Sequence, residues 1–378
     1  MKIVHITTGL NNGGAEGVLY RLVTHDQDNE HIVISMMDAG KYGPMLLDKG
    51  VKLYCLNMDQ GKFSPKAIVK LYKILKKTKP NVVQTWMYHA DLIGGLTAKI
   101  AGVKNIFWNL RHTSFDSDHT KASTIKIARL NAKLSKIIPK KIISCAQAAV
   151  KTHTDLGYDE EKIVVIGNGY DLSTFKIDDD SRNLIRDELN IGKNPVIGMV
   201  GRYDPQKNHK GLIEALAIVK KNGYIFDLIL VGRDLNEKNK TLLSQIRKSG
   251  LYEQTHLLDQ RNDIPSIMNA LDLHVLSSSY GEGFPNVIAE AMACGAPCIA
   301  TDVGDSKIIV GKYGAIVETN NSNDLSKAII ESLDLMSNKD KWEDLRQLSQ
   351  DHIVRNFDVQ RMILKYTDVW KDVNRNVS

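Results

Sequence analysis

Two glutamates eight positions apart, Glu282 and Glu290, stand in the run Ser277-Ser278-Ser279-Tyr280-Gly281-Glu282-Gly283-Phe284-Pro285-Asn286-Val287-Ile288-Ala289-Glu290. The first falls in a glycine-flanked loop after an apolar strand, and the second is expected about a turn into the helix that follows. Carboxylates grip hydroxyl groups through charge-assisted hydrogen bonds. The backbone over Gly283, Phe284, Pro285, Asn286 and Val287, at the positive end of that helix, suits a diphosphate. Pro285 is expected at the helix start, where a missing N–H wastes nothing. The bland alternative is a solvated glutamate followed by a capping one. A second run, Val200-Gly201-Arg202-Tyr203-Asp204-Pro205-Gln206-Lys207, also follows a strand. Arg202 offers a planar fork and Lys207 a point charge, and together they can neutralise a departing diphosphate. Near the start, Gly13-Gly14-Ala15-Glu16 opens a helix directly after the first strand. Such a pair lets a ligand approach the backbone closely, although it also makes an ordinary tight turn. Two histidines follow strands as well: His112 in Asn109-Leu110-Arg111-His112-Thr113 and His89 in Thr85-Trp86-Met87-Tyr88-His89. Each could line a site, or could be merely packed or exposed.

These residues need elements to hold them. In the first half, apolar runs at Lys2–Ile6, His31–Met36, Asn81–Gln84, Asn105–Trp108 and Lys141–Ser144 read as strands. Amphipathic stretches at Ala15–Val23, Lys66–Lys77, Asp91–Ala101 and Ser123–Lys136 alternate with them. The second half repeats the theme, with strands at Val196–Val200, Asp227–Val231, Thr255–Leu257, Leu273–Leu276 and Pro297–Ala300. Helices are expected there at Lys210–Asn222, Lys238–Ser249, Ile264–Asn269 and Asn286–Cys294. Such alternation predicts an α/β protein with parallel, doubly wound sheets. A first domain over 1–170, a linker over 171–194 and a second domain over 195–355 are expected. A C-terminal helix over 356–378 would pack back toward the first domain. Two such domains facing one another would leave a cleft at the carboxyl ends of their strands, where sheets of this kind bind ligands.

Composition narrows the class. The 378 residues are 43% hydrophobic and 25% charged, an ordinary globular balance. No stretch approaches the roughly 18 apolar residues of a membrane span, and the N-terminus is too short and too polar for a signal peptide. Cys55, Cys145, Cys294 and Cys298 show no metal-type spacing, so a cytoplasmic chain without disulfides is expected. The net charge of +6 is unevenly spread. Lysines crowd Lys66–Lys79, and lysines with Arg129 crowd Lys121–Lys141, where apolar residues are interleaved with them. A basic amphipathic helix can lie on an anionic membrane surface, or can be the solvated face of an ordinary core helix. No nucleic-acid-binding motif occurs. Thr8-Gly9-Leu10-Asn11-Asn12-Gly13-Gly14 lacks the glycine spacing of a dinucleotide oxidoreductase.

Over nearly its whole length the sequence resembles the retaining glycosyltransferases of family 4, which have the two-domain GT-B architecture of Rossmann-like domains. Glu282 and Glu290 match that family's paired-glutamate motif, and the match continues through Glu-Ala-Met-Ala-Cys-Gly-Ala-Pro-Cys-Ile-Ala-Thr-Asp. The resemblance implies that Glu290 binds the donor ribose and that Glu282 contacts the transferred sugar beside the reacting carbon. It gives Arg202 and Lys207 to the donor diphosphate, together with the backbone over Gly283–Val287. It sets the glycine loop beside both substrates, with Gly14 toward the donor and Gly13 and Glu16 toward the acceptor. His112 would contact the transferred sugar, and His89 would line the acceptor site.

The resemblance further implies retention of anomeric configuration, by same-face attack or through a covalent intermediate on a carboxylate such as Glu282. A uridine diphosphate sugar is the expected donor. A glycan or polyprenyl-linked acceptor in bacterial surface-polysaccharide assembly is the expected partner, met at the inner face of the membrane. No metal or other cofactor is expected, and Asp116-Ser117-Asp118 reads as a solvated loop. Gly304-Asp305-Ser306 and Gly232-Arg233-Asp234 depart from the family pattern, which bears on donor preference. A nucleotide-sugar epimerase of the same fold and a non-catalytic nucleotide-sugar-binding protein are the alternatives.

Overall fold

The computed structural model describes residues 1–59, 64–113 and 121–372. It divides into two compact units, one formed by residues 1–169 with the C-terminal helix Val359–Asp372, the other by residues 170–358.

The first unit is built on seven strands, β1 (Lys2–Thr7), β2 (Glu30–Ser35), β3 (Lys52–Cys55), β4 (Val82–Trp86), β5 (Ile106–Leu110), β6 (Lys141–Ser144) and β7 (Ile163–Val165). All pair in parallel, in the order β3-β2-β1-β4-β5-β6-β7. Every residue of β4 and β5 is buried, as expected for a parallel sheet covered on both faces. The strand order reverses between β1 and β4, so the loops leaving these two strands part to opposite faces. That reversal is where open α/β sheets bind ligands.

The C-terminal helix belongs to this unit. Its Met362, Ile363, Tyr366 and Trp370 join Leu19, Leu22, Trp86 and Phe107 in one buried cluster. Trp370 Nε1 donates to Gln84 Oε1 at 3.1 Å, which satisfies a polar side chain inside the sheet.

The second unit has six parallel strands, β8 (Val196–Val200), β9 (Asp227–Val231), β10 (Thr255–Leu257), β11 (Leu273–Leu276), β12 (Cys298–Thr301) and β13 (Ala315–Val317). Their order is β10-β9-β8-β11-β12-β13, with the reversal between β8 and β11. Val196–Val200 and Leu273–Leu276 are buried throughout.

The segment 171–194, expected as a linker, is instead part of this unit. Its acidic run is a helix start: Asp178 caps the helix Asp179–Glu188 by accepting from Ser181 N at 3.1 Å. Arg182 and Arg186, one turn apart on that helix, both reach Asp272. Their Nη2 atoms lie 2.5 and 2.6 Å from its two carboxylate oxygens. Asp272 also accepts Val196 N at 2.7 Å, which ties the segment to the edge of β8.

Candidate functional site

In the second unit the loops after β8 and β11 meet across the strand reversal. Beyond β8, Asp204 accepts from Gln206 N at 2.9 Å and fixes a single turn over Pro205–Lys207. Asn208 follows with a φ of 52° and caps the helix His209–Lys221 through Gly211 N. Ser277 Oγ, at the end of β11, donates to Lys207 O at 2.9 Å, and Ser279 N donates to Gln206 O at 2.8 Å. The two loops are thereby stitched together.

Lys207 and Glu282 come together at this seam. Lys207 Nζ donates to Glu282 Oε1 at 2.6 Å, and Ser278 Oγ donates to the same oxygen at 2.7 Å. The lysine and glutamate side chains are only 12% and 10% exposed, so the pair is largely withdrawn from water. Behind it, His209 and His274 are buried. Burial and then the Lys207 charge hold His209 at a pKa of about 4 and His274 at about 3. Neutral rings there avoid placing further positive charge beside the lysine.

Arg202 lies on the same loop but turns onto its neighbours. Its Nε donates to Asp204 Oδ2 and its Nη2 to Gln206 Oε1, both at 3.0 Å, and its side chain is 45% exposed. Glu290 is half-buried within the helix Asn286–Ala293, two turns beyond Glu282 in sequence. Pro285 stands at the N-cap, one position before the helix rather than inside it, with φ −70° and ψ 100°. Phe284 is buried, its ring edge-on to Phe357 at 5.6 Å, so this side chain packs the core and offers a ligand only its backbone. Val287 also packs against the core, and Asn286 Oδ1 accepts from Tyr170 OH at 2.8 Å. Gly304 has a φ of +61° and lies directly on the carbonyls of Glu282 and Gly283, while Asp305 N donates to Gly283 O at 2.9 Å. A side chain at position 304 would collide with the backbone that presents Glu282.

In the first unit, Gly13 caps the helix Gly14–His25 without a side-chain bond. The Glu16 carboxylate folds over Gly13 so closely that a β-carbon there would strike Glu16 Oε2. Burial raises the pKa of Glu16, partly offset by its own backbone N–H and by the charge of Arg111. His89 stands half-buried in the first turn of the helix Tyr88–Ile100, and burial lowers its pKa. The chain enters that helix through Met87, whose φ of 71° is a strained conformation for a side chain of its size. His112 is exposed just beyond β5, its ring 6.1 Å from that of Tyr88, whose hydroxyl meets His153 Nε2 at 2.8 Å. Asp116-Ser117-Asp118 lies outside the described residues.

Two polar residues that the motifs did not single out are held in place here. One is Ser278. The other is Arg111, which immediately precedes His112 and bonds Asn168 Oδ1 and Tyr366 OH. Spacing alone could not mark either, because their partners lie on distant parts of the chain.

Two parallel α/β units, each with a reversal of strand order in its sheet, are the domains of a GT-B architecture. Profiles of known families cover both halves: "Glycosyltransferase Family 4" matches residues 12–174 and "Glycosyl transferases group 1" matches residues 181–349. The chain belongs to the family 4 type of glycosyltransferases. One relative is the UDP-Gal:alpha-D-GlcNAc-diphosphoundecaprenol alpha-1,3-galactosyltransferase of Escherichia coli, 28% identical over 91% of this chain and 90% of that protein. Another is the N,N'-diacetylbacillosaminyl-diphospho-undecaprenol alpha-1,3-N-acetylgalactosaminyltransferase of Campylobacter jejuni, 29% identical over 96% of this chain and 99% of that protein. The fold is shared with the crystal structure of Anabaena HepE in complex with UDP, at a TM-score of 0.85 and 24% identity over 98% of this chain and 100% of that one.

Proposed function

We propose that the protein is a retaining transferase that moves a sugar from a uridine diphosphate donor to a sugar acceptor carried on a polyprenyl diphosphate. The observation that carries this reading is the Lys207–Glu282 pair at the β8/β11 reversal, with Arg202 on the same loop. Arg202 and Lys207 take the donor diphosphate, and the backbone over Gly283–Val287 and Gly14 adds N–H groups to it. Glu290 takes the ribose. Glu282, its Oε1 held by Lys207 and Ser278, takes hydroxyls of the transferred sugar and keeps negative charge near the carbon that becomes cationic. The bond from sugar C1 to the phosphate oxygen breaks, and the acceptor hydroxyl oxygen bonds to C1. The hydroxyl proton leaves with the diphosphate. Cations already in place lower the barrier to that departure, so the scheme calls for no metal. Gly13, Glu16 and His89 contact the acceptor and His112 the transferred sugar.

The donor and acceptor classes draw their support from the two relatives, whose acceptors are both diphospho-undecaprenol sugars and one of which uses UDP-Gal. A bacterial surface-polysaccharide role rests on the same kinship. Among the described residues no helix is long and apolar enough to cross a membrane. The surface nevertheless suits an anionic bilayer. Lys66, Lys70, Lys73, Lys76, Lys77 and Lys79 are all exposed on or beside the helix Pro65–Thr78. On Lys121–Lys141, exposed Leu130 and Ile137 stand among Lys126, Arg129, Lys133, Lys136 and Lys140. Apolar side chains within a basic face add burial to Coulomb attraction.

The test incubates the purified protein with a panel of UDP-sugars and a short-chain polyprenyl diphosphate sugar, and reads the product by mass and by the anomeric coupling in its NMR spectrum. A new glycosidic bond with the donor's anomeric configuration is expected. An inverted product would overturn the retaining scheme, and product only with phosphate-free acceptors would overturn the acceptor class.

A further inference from the structure

Arg111 stands just beyond the carboxyl end of β5 in the first unit. Its guanidinium lies over the Trp86 indole at 4.8 Å from the ring centroid. Nη1 donates to Asn168 Oδ1 at 2.6 Å and Nη2 to Tyr366 OH at 2.9 Å. Asn168 and Tyr366 are themselves buried, and Asn109 Nδ2 also donates to the Tyr366 hydroxyl at 2.7 Å. Three parts of the unit, namely β4, the segment just after β7 and the C-terminal helix, thus converge on one guanidinium.

All of these partners are neutral. Other arginines of the chain meet carboxylates directly: Arg182 and Arg186 on Asp272, Arg261 on Glu188 and Asp263. Arg111 makes no ion pair among the described residues. Its charge is felt by Glu16, in the first turn of the helix after β1, without a bond between them. A guanidinium has five N–H donors, and two are used here. Nε–H is buried without a partner. Desolvating a cation against neutral groups is unfavourable unless a ligand later supplies the opposite charge. A fixed, half-buried guanidinium at the ligand-binding end of the sheet is matched to a phosphate, whose oxygens fit its fork.

We propose that Arg111 is a specificity-determining residue that binds a phosphate of the acceptor, so that the first unit reads the carrier's diphosphate as well as the acceptor sugar. The inference rests on the polyprenyl diphosphate reading of the acceptor given above. Asn168, Trp86 and Tyr366 act as positioning residues that hold the fork.

The experiment compares Arg111→Gln and Arg111→Lys with the wild type on two acceptors bearing the same sugar, one on an alkyl diphosphate and one on a neutral alkyl chain. For the glutamine variant a KM at least tenfold higher is expected for the diphosphate acceptor, with the neutral acceptor's KM and the donor's KM unchanged. The lysine variant should fall between. At saturating donor, inorganic pyrophosphate should compete with the neutral acceptor in the wild type and lose that effect in Arg111→Gln. Equal losses on both acceptors would mean a purely structural arginine and overturn the proposal, as would no loss on either. If the wild type itself shows no preference for the diphosphate acceptor, the acceptor reading falls. The pyrophosphate competition then decides the arginine separately: persistence in the glutamine variant refutes it.

Discussion

Lys207 Nζ lies 2.6 Å from Glu282 Oε1, joining residues 75 positions apart on the loops that leave β8 and β11. A pair so little exposed is strained by losing either member, because the survivor keeps its charge without a partner. Lys207→Ala and Glu282→Ala should each lower unfolding free energy by about 3 kcal/mol. The double variant should lose less than their sum, with a coupling of about 1–3 kcal/mol. Additive losses in urea denaturation would show that the two side chains do not meet in solution.

Ser278→Ala removes a donor to Glu282 Oε1 and leaves Lys207 in place. The expected stability loss is about 1 kcal/mol, the worth of a single hydrogen bond. Turnover should fall by about tenfold, equivalent to about 1.4 kcal/mol of barrier, with the donor's KM unchanged. A variant with wild-type kcat would remove Ser278 from the account.

Asp272 joins two guanidiniums and the start of β8. Asp272→Ala should destabilise the second unit by about 3–5 kcal/mol, leaving two cations without their carboxylate. Asp272→Asn, which still accepts from Val196 N, should cost less. Chemical denaturation followed by fluorescence checks the order of the two variants.

Acid should weaken the fold in two stages. Burial holds His153 and His209 at about 4 and His274 at about 3, against an ordinary 6.5. As pH falls below about 6.5 the unfolded chain binds these protons first, so stability drops until the folded values are reached. Asp26 acts lower down. Burial would raise it, but hydrogen bonds from His31, Asn29 Nδ2 and Asp28 N outweigh that and hold it at about 2, against an ordinary 3.8. Its contribution of about 2 kcal/mol is present above 3.8 and is lost as pH falls toward 2. Melting temperatures measured from pH 7.5 to pH 3 should decline throughout. A flat profile down to pH 4 would contradict the histidine stage, and Asp26→Asn should flatten only the lower one.

The central strands were legible because a strand buried on both faces carries a nearly continuous apolar run, as in Val196–Val200, and in Leu273–Leu276 with His274 its one polar residue. Lys52–Cys55, Ile163–Val165 and Ala315–Val317 carry a weaker signal, being three or four residues long and mostly only partly buried at the sheet edges, although the equally short edge strand Thr255–Leu257 was read. The helix Asp179–Glu188 was hidden by its own start, since an acidic run serves equally as a solvated linker or as a cap with a favourable first turn. What decides between them is Asp272, far along the chain. The loops bearing Glu282 and Lys207 could be read because glycine, proline and charge coincide there after a strand. The roles of Ser278 and Arg111 could not, since a serine or an arginine takes its meaning from the partner that the fold brings to it.

The most direct measurement is release of nucleoside diphosphate by Glu282→Gln beside the wild type, with donor affinity measured in parallel by calorimetry. The amide keeps the shape and a hydrogen-bonding oxygen for Lys207 but removes the charge that the proposed mechanism sets beside the reacting carbon. A loss of at least about 100-fold in turnover, comparable to removing one electrostatic contact to a transition state, is expected, with nucleotide affinity within a few-fold of wild type. Unchanged turnover would contradict the placement of Glu282 at the reacting centre.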